Sequence, residues 1–416
     1  MIATTTHPRH APRELGHRAS FWVAAAVLVH TLWTSAAPAL TYPLYAAQWH
    51  LTPTVTTGMF AIYPIVVVAV LLLFGNLSDR IGRRTTMLMG LTASLAGGLL
   101  FALAPGVEWI FVGRALMGVG VGLSASPATA ALVEFSRPGQ TGRASMIATA
   151  ATSLGLALAT LVGGALIQYA PHPTHLNFWV LSVAVSVLII AAWFLPRHAI
   201  TDPAIRWKPG SVTIPKGIGL IFTISSLAII AAYAHGALML SLGAQIARDL
   251  IGSSNALVNG ATMALFALVS GTVAVLAKRL SAHTSVVLGA AVATLGMGLI
   301  VASAATSSLP LFLASATFSG GSYSLMFLGG LGLISAHAPA HQRVATISAV
   351  YLIGYLMMGS IALSLGLIAT AWTLQIAIDV GAPAVALLGV AAATLVVIER
   401  RPAKQMGHAP IGAVAR

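Results

Sequence analysis

Long apolar runs separated by short polar breaks dominate the chain. Twelve such runs fall at about 20–46, 54–76, 85–104, 109–135, 144–169, 177–195, 217–247, 255–277, 284–305, 309–336, 344–371 and 380–398. A helix needs roughly 20 apolar residues to cross the hydrocarbon core, and more when tilted. Each run is therefore read as one spanning helix. The polar remainder forms a tail over 1–19, a proline-rich linker over 196–216 and a tail over 399–416. The spans fall into two sets of six, 20–195 and 217–398. The predicted fold class is an all-α membrane protein of twelve transmembrane helices in two pseudo-symmetric six-helix halves.

The halves share spaced residues. Gly58 corresponds to Gly260, Leu77-Ser78 to Leu280-Ser281, Gly90 to Gly289, and Arg143 to Arg343. The offsets of 202, 203, 199 and 200 are close to half the chain, as a parallel duplication predicts.

Composition closes off other classes. Charged residues make up 7% of the 416 and hydrophobic ones 58%. A soluble fold could not cover its surface with so little charge, and a disordered chain would not be so apolar. The net charge of +13 does not point to nucleic acid, because no basic run exceeds two residues. Zero cysteines exclude disulfides, zinc–thiolate sites and thiol nucleophiles. No metal site is expected: His172 and His175 lack further ligands. No cofactor is expected either.

The basic residues orient the chain. Arg9, Arg13 and Arg18, then Arg80, Arg83 and Arg84, Arg137 and Arg143 precede the central linker. The linker holds Arg197, Arg206, Lys208 and Lys216; Lys278, Arg279, Arg343, Arg400, Arg401, Lys404 and Arg416 follow. These nineteen of 21 fall on alternate connections, which puts both termini in the cytoplasm of a plasma (inner) membrane protein. Arg114 and Arg248 fall elsewhere. The first apolar run is too long for a signal h-region and is read as a retained helix.

Between the second and third spans stands GNLSDRIGRR, Gly75 to Arg84. Gly75 allows close helix approach, and Gly82 allows a tight turn with positive φ. Asp79 is the lone acid beside Arg80, Arg83 and Arg84. This loop resembles the G-x-L-a-D-r-x-G-r-r/k motif of the major facilitator superfamily, and the resemblance extends to twelve spans and two halves. In the second half the equivalent loop keeps Lys278-Arg279-Leu280-Ser281 but places Ala282 where the acid would stand. Arg114 to Gly122 resembles the family's R-x-x-x-G-x-G motif of helix 4. Gly118 and Gly122 form a GxxxG packing face. Arg114 either faces a cavity or snorkels to the outer interface. The resemblance also implies an inner gate of Asp79, Arg83, Glu134, Arg143 and Arg343 that locks an outward-facing state. The alternative for Glu134 is a solvated loop charge. Helix 5 departs from the family's drug/proton antiporter pattern, with Ala159 and Thr160 in place of a Gly and a Pro between Gly155 and Gly163-Gly164.

By the same resemblance, helices 1, 4, 7 and 10 line a central cavity. His30, Trp33 and Thr34 share one face of the first span at helical spacing. Tyr233 and His235 lie midway along the seventh, and Ser322 and Tyr323 along the tenth. Each histidine either carries a proton, since histidine titrates near physiological pH, or sits neutral in a helix interface. Asp379 is expected to cap the last helix. The function implied is a monomeric secondary transporter in the lipid bilayer, moving a small organic or drug-like molecule by alternating access, with proton-coupled efflux first. Sugar or metabolite uptake is the alternative. A membrane-embedded enzyme or a sensor would need a catalytic set or a large soluble domain, and neither is found.

Overall fold

A computed structural model describes residues 14–137, 140–197 and 214–406, without the side chains of Thr141 and of residues 400–406. Arg9, Arg13, Arg206, Lys208 and Arg416, and most of the 1–19, 196–216 and 399–416 segments, lie outside the described residues or side chains, as do the side chains of Arg400, Arg401 and Lys404.

Twelve described helices are long and apolar enough to cross a membrane. Numbering these alone, they are α1 His17–Ala36, α2 Pro53–Phe74, α3 Arg83–Ala102, α4 Val107–Glu134, α5 Thr141–Tyr169 and α6 Pro173–Trp193. The second set is α7 Gly219–Ser241, α8 Ala256–Leu276, α9 Ala282–Thr306, α10 Leu309–His337, α11 Arg343–Ala371 and α12 Leu374–Met406.

Two expected spans are broken. The first run ends as α1 at Ala36, turns through Pro38 and resumes as a short helix, Tyr42–Trp49. Pro38 has no backbone N–H to donate, and Pro43 suits the first turn of the new helix. The seventh run ends as α7 at Ser241 and continues as Gly243–Gln245 and a π turn, Ile246–Leu250. The two interruptions fall at the same end of the molecule and in corresponding positions of the two halves. The last helix runs past its expected end at 398. Asp379 lies inside α12 and accepts from Gln375 Nε2 at 2.9 Å, while Thr373 Oγ1 accepts from the N–H of Ile376. The expected cap role of Asp379 is thus corrected: the helix begins earlier, at Leu374.

The same packing recurs in each half. In the first, α1 lies against α4 and α5, and α3 against α4 and α6. In the second, α7 lies against α10 and α11, and α9 against α10 and α12. Small residues permit the close approach. A Cβ on Gly118 would meet the Tyr63 carbonyl of α2 at 3.0 Å, and one on Gly122 would meet Val70 at 2.8 Å. The GxxxG face of α4 thus holds α2, while Gly113 and Gly120 turn to Gly97 and Gly90 of α3. The halves meet through α2 with α11 and α5 with α8.

Candidate functional site

The loop after α2 is a single helical turn, Leu77–Ile81, followed by Gly82 at φ +88° and then α3. Gly75 caps α2. Arg83 forms an ion pair with Glu134 at the end of α4. Arg84 donates to the Leu195 carbonyl at 3.1 Å and lies 5.3 Å from the Trp193 ring, which ties the loop to the end of α6. Asp79 and Arg80 are exposed, and Asp79 meets Ser78 Oγ at 3.5 Å. Arg143 donates to Gln140 at 3.3 Å, and Arg343 is exposed at the start of α11. Of the five residues expected to form a gate, the structure brings together Arg83 and Glu134, both of the first half.

Among the described residues, hydrogen bonds between the halves lie at the opposite end. Thr54 at the start of α2 donates its N–H to Thr370 Oγ1 of α11 at 2.9 Å, and the two hydroxyls are 2.8 Å apart. Thr54 Oγ1 also donates to the Gly366 carbonyl at 3.2 Å. The N–H of Ala256 donates to Gln168 of α5 at 2.8 Å. Arg248, in the break after α7, donates to the Pro43 carbonyl in the break after α1 at 3.2 Å. It also pairs with Asp249 at 3.0 Å. The molecule is thus sealed between its halves at the end remote from the Gly75–Arg84 loop.

Below this seal the halves present aromatic rings to each other. The second half supplies Tyr233 of α7, Tyr323 and Phe327 of α10, and Tyr351 and Tyr355 of α11. Tyr233 lies 4.9 Å from Tyr355, 6.2 Å from Tyr323 and 6.0 Å from Phe327, ring centre to ring centre. Phe327 is 6.0 Å from Tyr351. Tyr323, Phe327, Tyr351 and Tyr355 keep accessible surface inside the bundle. The first half supplies Tyr63 of α2, close enough to Tyr355 to interact electrostatically across the halves.

Tyr63 leads to Arg114. The guanidinium carbon of Arg114 lies 4.4 Å from the Tyr63 ring centre and 5.8 Å from that of Phe60. Its Nη1 donates to the Ser35 carbonyl at 2.8 Å, next to the break of the first span. Arg114 is 1% exposed, and among the described residues no other Lys, Arg, Asp or Glu is buried. The bond to a carbonyl contributes roughly 1.5–3 kcal/mol and the ring contact up to about 2 kcal/mol. These offset much of the several kcal/mol that desolvating a cation costs, but both partners are neutral and leave the net charge unbalanced. Arg114 Nε and the nearby Tyr42 Oη are buried and interact with each other, but neither makes a hydrogen bond of ordinary geometry. Of the two readings of Arg114, snorkelling does not describe this side chain.

Other expected cavity residues lie elsewhere. His30 and Trp33 line a groove of about 580 Å³ between α1 and α6, whose rim residues Trp22 and Val187 are exposed on the outside of the bundle. Asn177 of α6 donates to the Ala37 carbonyl on the same side of the first span. The face carrying His30, Trp33 and Thr34 therefore turns to α6, and the expectation of a central position for His30 and Trp33 is corrected. Thr34 is fully buried, its hydroxyl without a partner. His235 follows Tyr233 by two residues, about 200° around a helix, so the two cannot face one cavity. His235 is fully buried, with Nδ1 donating to the Ala231 carbonyl at 2.7 Å and Nε2 unpartnered. Ser322 donates to the Gly289 carbonyl of α9 at 3.0 Å and so points away from Tyr323's side of α10. Phe60, Tyr63, Phe327, Tyr351 and Tyr355 were not expected. The sequence signal for three of these is spacing: Phe327 shares a helix face with the expected Tyr323, and Tyr351 with Tyr355, at i, i+4.

The comparisons with known proteins agree with this architecture. The chain is 33% identical over 154 residues to the multidrug efflux pump LfrA of Mycolicibacterium smegmatis, covering 36% of this chain and 30% of that one. It is 32% identical over 156 residues to the puromycin resistance protein pur8 of Streptomyces alboniger, covering 36% and 30%. It is 29% identical over 142 residues to the multidrug resistance protein MdtH of Yersinia pestis, covering 34% of each. The matched stretches span about a third of the length of these relatives. Among solved structures, a peptide transporter POT in complex with sulfate superposes with a TM-score of 0.71 at 16% identity, over 94% of this chain and 95% of that one. A bacterial homologue of the human lysosomal transporter Spinster, in an inward-facing and occupied conformation, gives 0.65 at 12%, over 92% and 96%. At these identities the likeness is one of fold. The Major Facilitator Superfamily profile matches residues 22–362, from α1 into α11. With twelve spanning helices in the same arrangement, this chain belongs to the Major Facilitator Superfamily.

Proposed function

We propose that this transporter exports a small organic or drug-like compound from the cytoplasm by alternating access, driven by proton uptake. The observation that carries the reading is the one-sided seal between the halves above an aromatic wall. The distribution of basic loops supports a cytoplasmic Gly75–Arg84 end, and on that reading the conformation is one that receives cargo from inside. An aromatic wall gives a flat apolar compound stacking surface with few fixed polar demands, which suits a broad exporter. The names of the relatives, a multidrug efflux pump and a puromycin resistance protein, support export over uptake.

The test is transport by the purified full chain in liposomes, with an imposed pH gradient and an aromatic dye as cargo. Dye movement opposite to the proton flow, abolished when the gradient is collapsed, is expected. Dye movement that ignores the gradient would leave the chain a facilitator. Movement of sugars in place of dyes would favour the metabolite reading, for which the tyrosine hydroxyls of the wall would serve as hydrogen-bonding groups.

A further inference from the structure

We propose that the exported compound is an organic anion, whose acidic group supplies the counter-charge to Arg114 while its flat apolar body stacks on the aromatic wall. This rests on the exporter reading above and narrows its substrate class.

Charge is distributed very unevenly. The sequence has eight Asp and Glu residues, of which Asp202 lies outside the described residues. Glu108, Asp249 and Asp379 stand at one end of the bundle. Glu14, Asp79, Glu134 and Glu399 stand at the other. None of the described acids pairs with Arg114; Glu134, Asp249 and Glu399 pair with Arg83, Arg248 and His283. The interior between the halves is therefore of one sign, and that sign is set by Arg114.

The donors beside it lack an anionic partner. Arg114 Nε and Tyr42 Oη are buried neighbours that interact with each other, and neither makes a hydrogen bond of ordinary geometry. A carboxylate accepts from both, with two oxygens and several lone pairs. An ammonium group would meet a like charge and donors it cannot use. A neutral amide could accept one bond without balancing the charge. The site is continuous with the wall, because Tyr63 covers the guanidinium and neighbours Tyr355. Tyr63 must swing aside for a ligand to reach the donors, a side-chain movement fast compared with transport.

The experiment is calorimetric binding to the purified full chain with three probes of one ring body: naphthoate, naphthamide and naphthylmethylammonium. Naphthoate is expected to bind at least about tenfold more tightly than the amide, and the ammonium most weakly. In Arg114→Gln the advantage of naphthoate should vanish while the amide stays within about twofold of wild type. Tyr42→Phe should weaken naphthoate alone. The wild-type series decides the matter even where a variant fails to fold. Equal binding of the three probes, tightest binding of the ammonium, or no binding of any of them overturns the proposal. So does chloride binding as tightly as naphthoate at Arg114, which would make this an inorganic anion site. A cationic or neutral cargo could still be exported in the liposome assay, so this inference can fail while the exporter reading stands.

Discussion

His235 donates Nδ1–H to the Ala231 carbonyl, and that one bond fixes its tautomer. Nε2 is left as a buried lone pair with no partner. His30, by contrast, lines the groove beside α6. If protons are carried by a histidine, His235 is the residue in the helix that bears Tyr233 and contacts both α10 and α11. His235→Gln is expected to alter the response of transport rate to pH, with substrate affinity little changed. His30→Gln should leave that response intact. Transport rates across the pH range, beside thermal stability, separate the roles: a packing role for His235 alone would lower stability and keep the wild-type profile. At this scale the sequence was partly informative. Arg114 stood out because a charge in an apolar run is costly. The wall did not, because Tyr63 and Tyr355 in apolar helices look the same whether they face lipid, core or cargo. Helical spacing put His30 and Trp33 on one face, and both line one groove, but it could not say which neighbour that face meets.

Between elements, the seal depends on α2 lying against α11. Thr54 and Thr370 join them, and a Cβ on Gly359 would come within 3.3 Å of the Ala61 carbonyl. The chain has no cysteine, so new ones can be read without background. Thr54→Cys combined with Thr370→Cys should form a disulfide, since the wild-type hydroxyls are 2.8 Å apart. Oxidation is expected to reduce transport at least about tenfold, and reductant to restore it, because the proposed alternating access requires this end to open. Unchanged transport by a fully cross-linked sample would show that the end need not open. The helices were legible in the sequence from their apolar lengths, because lipid demands them. The breaks after α1 and α7 were not, since apolar residues continue through both and the turn is made by the backbone at Pro38 and around Leu242.

At the scale of the whole molecule, the fold was legible because two simple regularities coincide. Basic residues alternate with apolar runs, and the second half repeats the packing of the first. The conformational state was not legible, because the gate residues can be named from the sequence without saying whether they meet. The gate suggested by Asp79, Arg143 and Arg343 belongs to a closed Gly75–Arg84 end, whereas the structure is sealed at the other end. Of the expected gate residues, Arg83 and Glu134, which share a half, are seen paired among the described residues.

A buried guanidinium with no fixed carboxylate has an electrical consequence. A carrier that held its own carboxylate would balance the guanidinium without any cargo. On the anion proposal, the passenger would form the neutral pair and leave as net charge, so each cycle would move current. A negative interior expels such a passenger, with about 2.3 kcal/mol per unit charge for each 100 mV. In liposomes with a potassium diffusion potential, naphthoate export should rise with the voltage and reverse with its sign. An electrode beneath supported membranes should record the matching transient. Proton uptake in exchange moves charge in the same electrical sense, so export indifferent to voltage at fixed pH would mean that a cation leaves with the passenger and would count against the exchange. The cell's voltage would then contribute nothing to expulsion.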